Sequence, residues 1–132
     1  ALVDRLLADP DAKVAELATR ELAARSRQGR EALVTLLSRW DPFGGQRARR
    51  LQALRALAAL GDPEVLPKLR RCFRAGLFGA GTEERRAAFA SLAGYPATAR
   101  RPLLEKGLRD SDGEIRSTCR RLLATPDEGV QP

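Results

Sequence analysis

The feature that most constrains this chain is a segment that recurs, because internal periods of roughly 20–50 residues mark stacked repeats rather than a single closed domain. Taking Arg49 as the start of the pattern, equivalent starts fall at Val14, Glu84 and Ile115, with spacings of 35, 35 and 31 residues. Four positions after each start stand Ala18, Ala53, Ala88 and Cys119, all small; eight positions after stand Leu22, Leu57, Leu92 and Leu123. A small residue lets neighbouring helices approach, and the leucine fills the space between layers. One position after each start the series reads Ala15, Arg50, Arg85 and Arg116.

The copy at residues 49–63 has the clearest local grammar. Ala53, Ala56, Leu57 and Leu60 follow the i, i+3, i+4, i+7 spacing of one helical face. Alanine and leucine are strong helix formers, so propensity agrees with pattern. Gly61 can adopt the left-handed conformation that ends a helix, and Pro63 stands where it can open the next.

The order Arg50, Ala53, Leu57, Leu60, Gly61, Asp62, Pro63, then Val65-Leu66-Pro67-x-Leu69, resembles the inner helix and turn of a HEAT repeat. The resemblance is nearest to the short bacterial variety named after phycobilisome lyases. It implies an all-α fold, an α-solenoid of about four antiparallel helix pairs, with partners bound on the concave side by the second helix of each pair. Repeats are expected at about 1–26, 29–61, 63–95 and 97–125, forming one domain over 1–125, with a flexible tail at 126–132.

Along the chain, a short amphipathic piece over residues 1–8 precedes a helix ending near Arg25. Residues 25–30 read as a charged turn, and 31–39 as the next helix. The loop 40–45 leads to the central helix at about 47–60, followed by a fifth helix through Val65 and Phe73 and a second loop at 76–81. A sixth helix starts at Thr82 as N-cap and ends near Gly94; a seventh covers about 98–109; an eighth covers 113–124. Leucines in both outer repeats leave open that the chain is part of a longer solenoid, since exposed solenoid ends usually carry a polar face.

Composition narrows the function classes. The charged opening Ala1-Leu2-Val3-Asp4-Arg5 is unlike a signal peptide, and the expectation is a cytoplasmic protein. No apolar run reaches the ~18 residues of a spanning helix. Cys72 and Cys119 fall at apolar helix positions and read as buried free thiols. Two cysteines without histidine are too few soft ligands for zinc, and no cofactor is expected. Arginine and alanine dominate, only Lys13, Lys68 and Lys106 being lysine, a bias that points to a GC-rich bacterial genome. The net charge of +7 favours acidic protein surfaces, nucleic acid or anionic membrane as partners.

Catalysis finds little support. Histidine, the commonest general base, is absent, as are phosphate loops and nucleophile elbows. The helices that the resemblance places on the concave side carry Arg20, Arg25, Arg47, Arg49, Arg50, Arg55, Arg85, Arg86, Arg116, Arg120 and Arg121. Among these, Arg50, Arg85 and Arg116 stand at the signature position, which implies a structural ladder to turn aspartates such as Asp11, Asp62, Asp110 and Asp112. Arg47, Arg49, Arg86, Arg120 and Arg121 lie outside the signature and are the candidates for an anion-binding groove, a solvated face being the alternative. Two loops, Arg39-x-x-x-Phe43-Gly44 and Arg74-x-x-x-Phe78-Gly79, repeat at 35 residues. Their rings are expected to fold back over helix ends, and Trp40 is the candidate interface hot spot. The expected function is a non-catalytic protein-interaction scaffold that binds an acidic partner on a basic concave surface. The alternative is sequence-independent nucleic-acid binding through the same groove.

Overall fold

The computed structural model describes residues 12–125. The amphipathic piece expected over 1–8, Asp11 and the tail 126–132 lie outside the described residues. Those described form α1 (Ala12–Arg25), α2 (Arg27–Ser38), α3 (Arg47–Leu60), a 3-10 helix (Pro63–Phe73), α4 (Thr82–Ser91) with a 3-10 turn at Leu92–Gly94, α5 (Ala97–Gly107) and α6 (Gly113–Ala124). No strand occurs among them.

Local chemistry explains the boundaries. Ser26 alone separates α1 from α2: its backbone is extended and its hydroxyl accepts from the Gly29 N–H at 2.7 Å. The turn expected over 25–30 is therefore one capping residue, and α2 starts at Arg27 rather than 31, because that cap satisfies an N-terminal donor at once. Gly61 ends α3 at φ +66°, as the sequence predicts. Asp62 then accepts from the Glu64 N–H at 3.0 Å and Pro63 follows. Pro67 lacks an N–H and would clash with the carbonyl four residues back, and the segment winds as 3-10 helix rather than the α-helix expected. Thr82 is not a cap: Gly81 holds that place, without a side-chain bond. Asp112 caps α6 through the Ile115 N–H at 3.0 Å.

The helices lie in two rows. In the first row α1 packs on α3, α3 on α4, and α4 on α6; in the second, α2 packs on the 3-10 helix and the 3-10 helix on α5. The core runs between the rows. Leu57 and Leu92, two of the four aligned leucines, are fully buried, and Leu123 packs at the core's margin. Ala53, Ala88 and Cys119, at the small-residue position, have no exposed surface. Phe73 meets Phe89 edge-on with ring centroids 5.1 Å apart, joining the 3-10 helix to α4. Where the ends of α3 and α4 approach, a Cβ added to Gly94 would stand 2.3 Å from the Ala58 carbonyl oxygen, so only glycine permits this contact.

Candidate interaction surface

The buried arginines join successive repeats. Arg50, 2% exposed, donates to the carbonyls of Leu36 at 2.6 Å, Leu37 at 3.0 Å and Arg39 at 2.9 Å, closing the C-terminal end of α2. Its other face forms a two-pronged pair with Glu84 of α4, Nη2 to Oε2 at 3.0 Å and Nε to Oε1. Burial works against the charge, but the hydrogen bond and charge of Glu84 outweigh it and hold the guanidinium above its ordinary range. Arg85 is likewise buried and grips both Asp110 oxygens at 3.1 Å while donating to the Ala80 carbonyl at 2.9 Å.

The ladder expected from sequence is thus present at Arg85–Asp110. Arg50 takes a glutamate on the next first-row helix instead of a turn aspartate, and Arg116 donates to the main-chain carbonyl of Asp110 at 2.7 Å. Asp62 is occupied with capping. Sequence reasoning missed Arg100, which is 4% exposed and donates to the carbonyls of Ala93 at 3.3 Å, Tyr95 at 3.2 Å and Thr125 at 3.2 Å. Arg30 reaches the carbonyl of Ala23, also seven residues back, at 3.1 Å. Arg30 and Arg100 lie two 35-residue periods apart, which is the signal that could have found them.

Of the candidate partner-binding arginines, two are engaged within the chain. Arg47 pairs with Glu83 at 3.2 Å, and Arg86 pairs with Asp112 and Glu114, each at 2.8 Å. Both therefore tie neighbouring first-row helices. The bond from Arg86 holds the Asp112 carboxyl down at about 2. Arg49, Arg120 and Arg121 are exposed and have no ion partner among the described residues. Arg49 stands about 120° around α3 from Arg55, at 100° per residue.

A groove of about 490 Å³ opens among α1, α3 and α4. Leu51, Ala58, Ala87 and Ala90 contribute an apolar lining of mostly small residues, and Arg20 and Arg55 contribute charge. Arg20 pairs within α1 to Glu16 at 3.2 Å; Arg55 has no ion partner among the described residues. Both arginines belong to the inventory drawn from the sequence, yet nothing in spacing alone separated them from the rest.

The loop rings correct the sequence reading. Phe43 is 96% exposed and Phe78 58%, so neither folds back over a helix end. Trp40 is partly exposed, and its ring lies 5.1 Å from that of Phe78, tilted by 57°. The two loops are close enough to touch, and the rings meet each other rather than the core. The cysteines are free and buried, and burial pushes the thiols up, to about 12 for Cys72 and about 11 for Cys119. No group of His, Cys, Asp or Glu that could hold a metal ion occurs among the described residues.

Two rows of short helices in which each repeat leans on its neighbours define an α-solenoid. HEAT repeats match residues 1–77, and the chain belongs to that family. Beyond the matched span, α4 to α6 continue the same two rows. No curated protein and no solved structure matches the chain. No helix among the described residues is long and apolar enough to cross a membrane.

Proposed function

We propose that this protein is a non-catalytic interaction scaffold of a bacterial cytoplasm, and that it receives an acidic segment of a partner protein along the first row of helices. HEAT repeats commonly serve as protein-interaction scaffolds, and fold alone does not choose the partner. The observation that carries the reading is the groove among α1, α3 and α4, where small apolar side chains lie beside Arg20 and Arg55. Alanines admit a close backbone approach, and guanidinium groups offer forked donors to carboxylates. Exposed Arg49, Arg120 and Arg121 supply further positive charge along the row, with Arg47 and Arg86 as members already shared with carboxylates of this chain. A groove formed before binding limits the ordering cost of association.

The test is a capture from host extract at two salt concentrations, comparing the wild type with the Arg20→Glu, Arg55→Glu double variant. The groove reading expects a captured protein to be lost from the variant and kept by an Arg49→Glu control. A capture indifferent to Arg20 and Arg55 sinks it. Nucleic-acid binding is the second reading, favoured by the net charge of +7. It expects random duplex DNA to bind at low salt and to dissociate log-linearly as salt rises.

A further inference from the structure

The two loops that leave the second row form an edge that the groove does not use. Residues 39–46 follow α2, and residues 74–81 follow the 3-10 helix one 35-residue period later. The contact between Trp40 and Phe78 places both on the same side of the molecule. Phe43 is 96% exposed, Leu77 77% and Phe78 58%, with Trp40 partly exposed beside them. Soluble surfaces carry single exposed apolar side chains routinely, but two touching loops that together expose four large ones mark a surface that meets something apolar.

The charges around this cluster are unbalanced in one direction. The Asp41 carboxylate accepts from the N–H groups of Gly45 at 3.2 Å and Gln46 at 3.0 Å. Glu83 is held by Arg47, and Glu84 by Arg50. Arg39 and Arg74, which open the two loops, are exposed and have no ion partner among the described residues. Arg74 also borders, with Arg70 and Lys106, a cavity of about 440 Å³ whose single carboxylate, Asp110, is taken by Arg85. The edge thus keeps two arginines without an ion partner, Arg39 and Arg74, against one carboxylate, Asp41, that is bonded to backbone N–H groups alone.

We propose that this edge docks on the surface of an anionic phospholipid bilayer. Phe43, Leu77 and Phe78 enter the boundary between headgroups and acyl chains. Trp40 lies at that boundary, where an amphipathic ring is at home, and Arg39 and Arg74 meet headgroup phosphates. A bilayer fits better than an acidic protein segment because the apolar side chains project. Phe43 borders a cavity of about 230 Å³ whose lining includes Asp41, Glu83 and Glu84, which would repel such a segment, yet its ring is 96% exposed. A segment laid across Phe43 would leave most of that ring in water, whereas lipid surrounds a projection on all sides. Such docking requires no spanning helix.

Trp40 is the protein's one tryptophan, so its emission reports on this edge directly. The chain is titrated with phosphatidylcholine vesicles, with and without phosphatidylglycerol, and sedimented with them. With phosphatidylglycerol present, the emission is expected to shift blue and the protein to sediment, more weakly as salt rises. The Phe43→Ser, Leu77→Ser variant, both positions being exposed, is expected to keep its helical circular dichroism and bind about tenfold or more weakly. Binding that survives this change unaltered would reflect bulk charge and overturn the proposal. So would vesicles that leave the emission unmoved while soluble polyglutamate shifts it, which would assign the edge to an acidic protein.

Discussion

At Arg50, charge and packing cannot be separated. Its guanidinium serves three carbonyls at the end of α2 and both oxygens of Glu84, and the pair is nearly closed to solvent. Truncation to alanine strands a buried carboxylate and reopens a helix terminus, at a cost of about 3–5 kcal/mol. Urea denaturation should show this as a lower midpoint. Arg50→Lys should recover only part, since one ammonium cannot span a forked acceptor and three carbonyls. Arg49→Ala, at an exposed neighbour, should stay within about 0.5 kcal/mol of the wild type. The structural character of Arg50 and Arg85 was legible because they recur at one place in the period. The place of Arg55 at the groove was not, since an isolated arginine on a helix looks the same whether it borders a groove or bare solvent.

Among the elements, helices were easier to read than their ends and the loops between them. Alanine and leucine periodicity marks α3, the spacing of Ile115, Cys119 and Leu122 marks α6, and Gly61 with Pro63 marks the corner. The start of α2 was misplaced because a charged stretch resembles a turn, while the cap at Ser26 needs only one residue. The rings of Phe43 and Phe78 were expected over helix ends because an apolar side chain normally finds cover. Their exposure is a property of loop geometry that no periodicity encodes. The approach of α3 to α4 gives a prediction of its own. Gly94→Ala would place its Cβ against the Ala58 carbonyl, a rigid main-chain atom. We expect the two helix ends to be forced apart, with a loss of about 1–3 kcal/mol in thermal or urea denaturation. An unchanged midpoint would mean that these ends yield freely.

Across the whole molecule, the aspartates at the corner between α5 and α6 link stability to pH. Asp110 is pushed up by burial but pulled further down by Arg85, and Asp112 is held near 2 by Arg86, against an ordinary value of 3.8 for each. The unfolded chain therefore takes up these protons first as pH falls. Their stabilisation is complete well above pH 3.8 and is lost as pH drops through the lower folded values toward about 2. Asp110→Asn should flatten this acid limb in urea midpoints measured across that window, and a limb equally steep would place the linkage elsewhere. The two-row architecture was legible in the 35-residue period itself, since a repeat too short to bury its own face must lean on the next.

That leaning has a direction. The guanidinium of Arg50 is answered by Glu84, and that of Arg85 by Asp110, so each time the later repeat supplies the counter-charge for the earlier one. Modules of this chain are consequently not freely interchangeable parts. A repeat spliced in after α3 must bring its own acid to the right place, or it leaves an upstream cation sealed in the interior with main-chain carbonyls but no opposite charge.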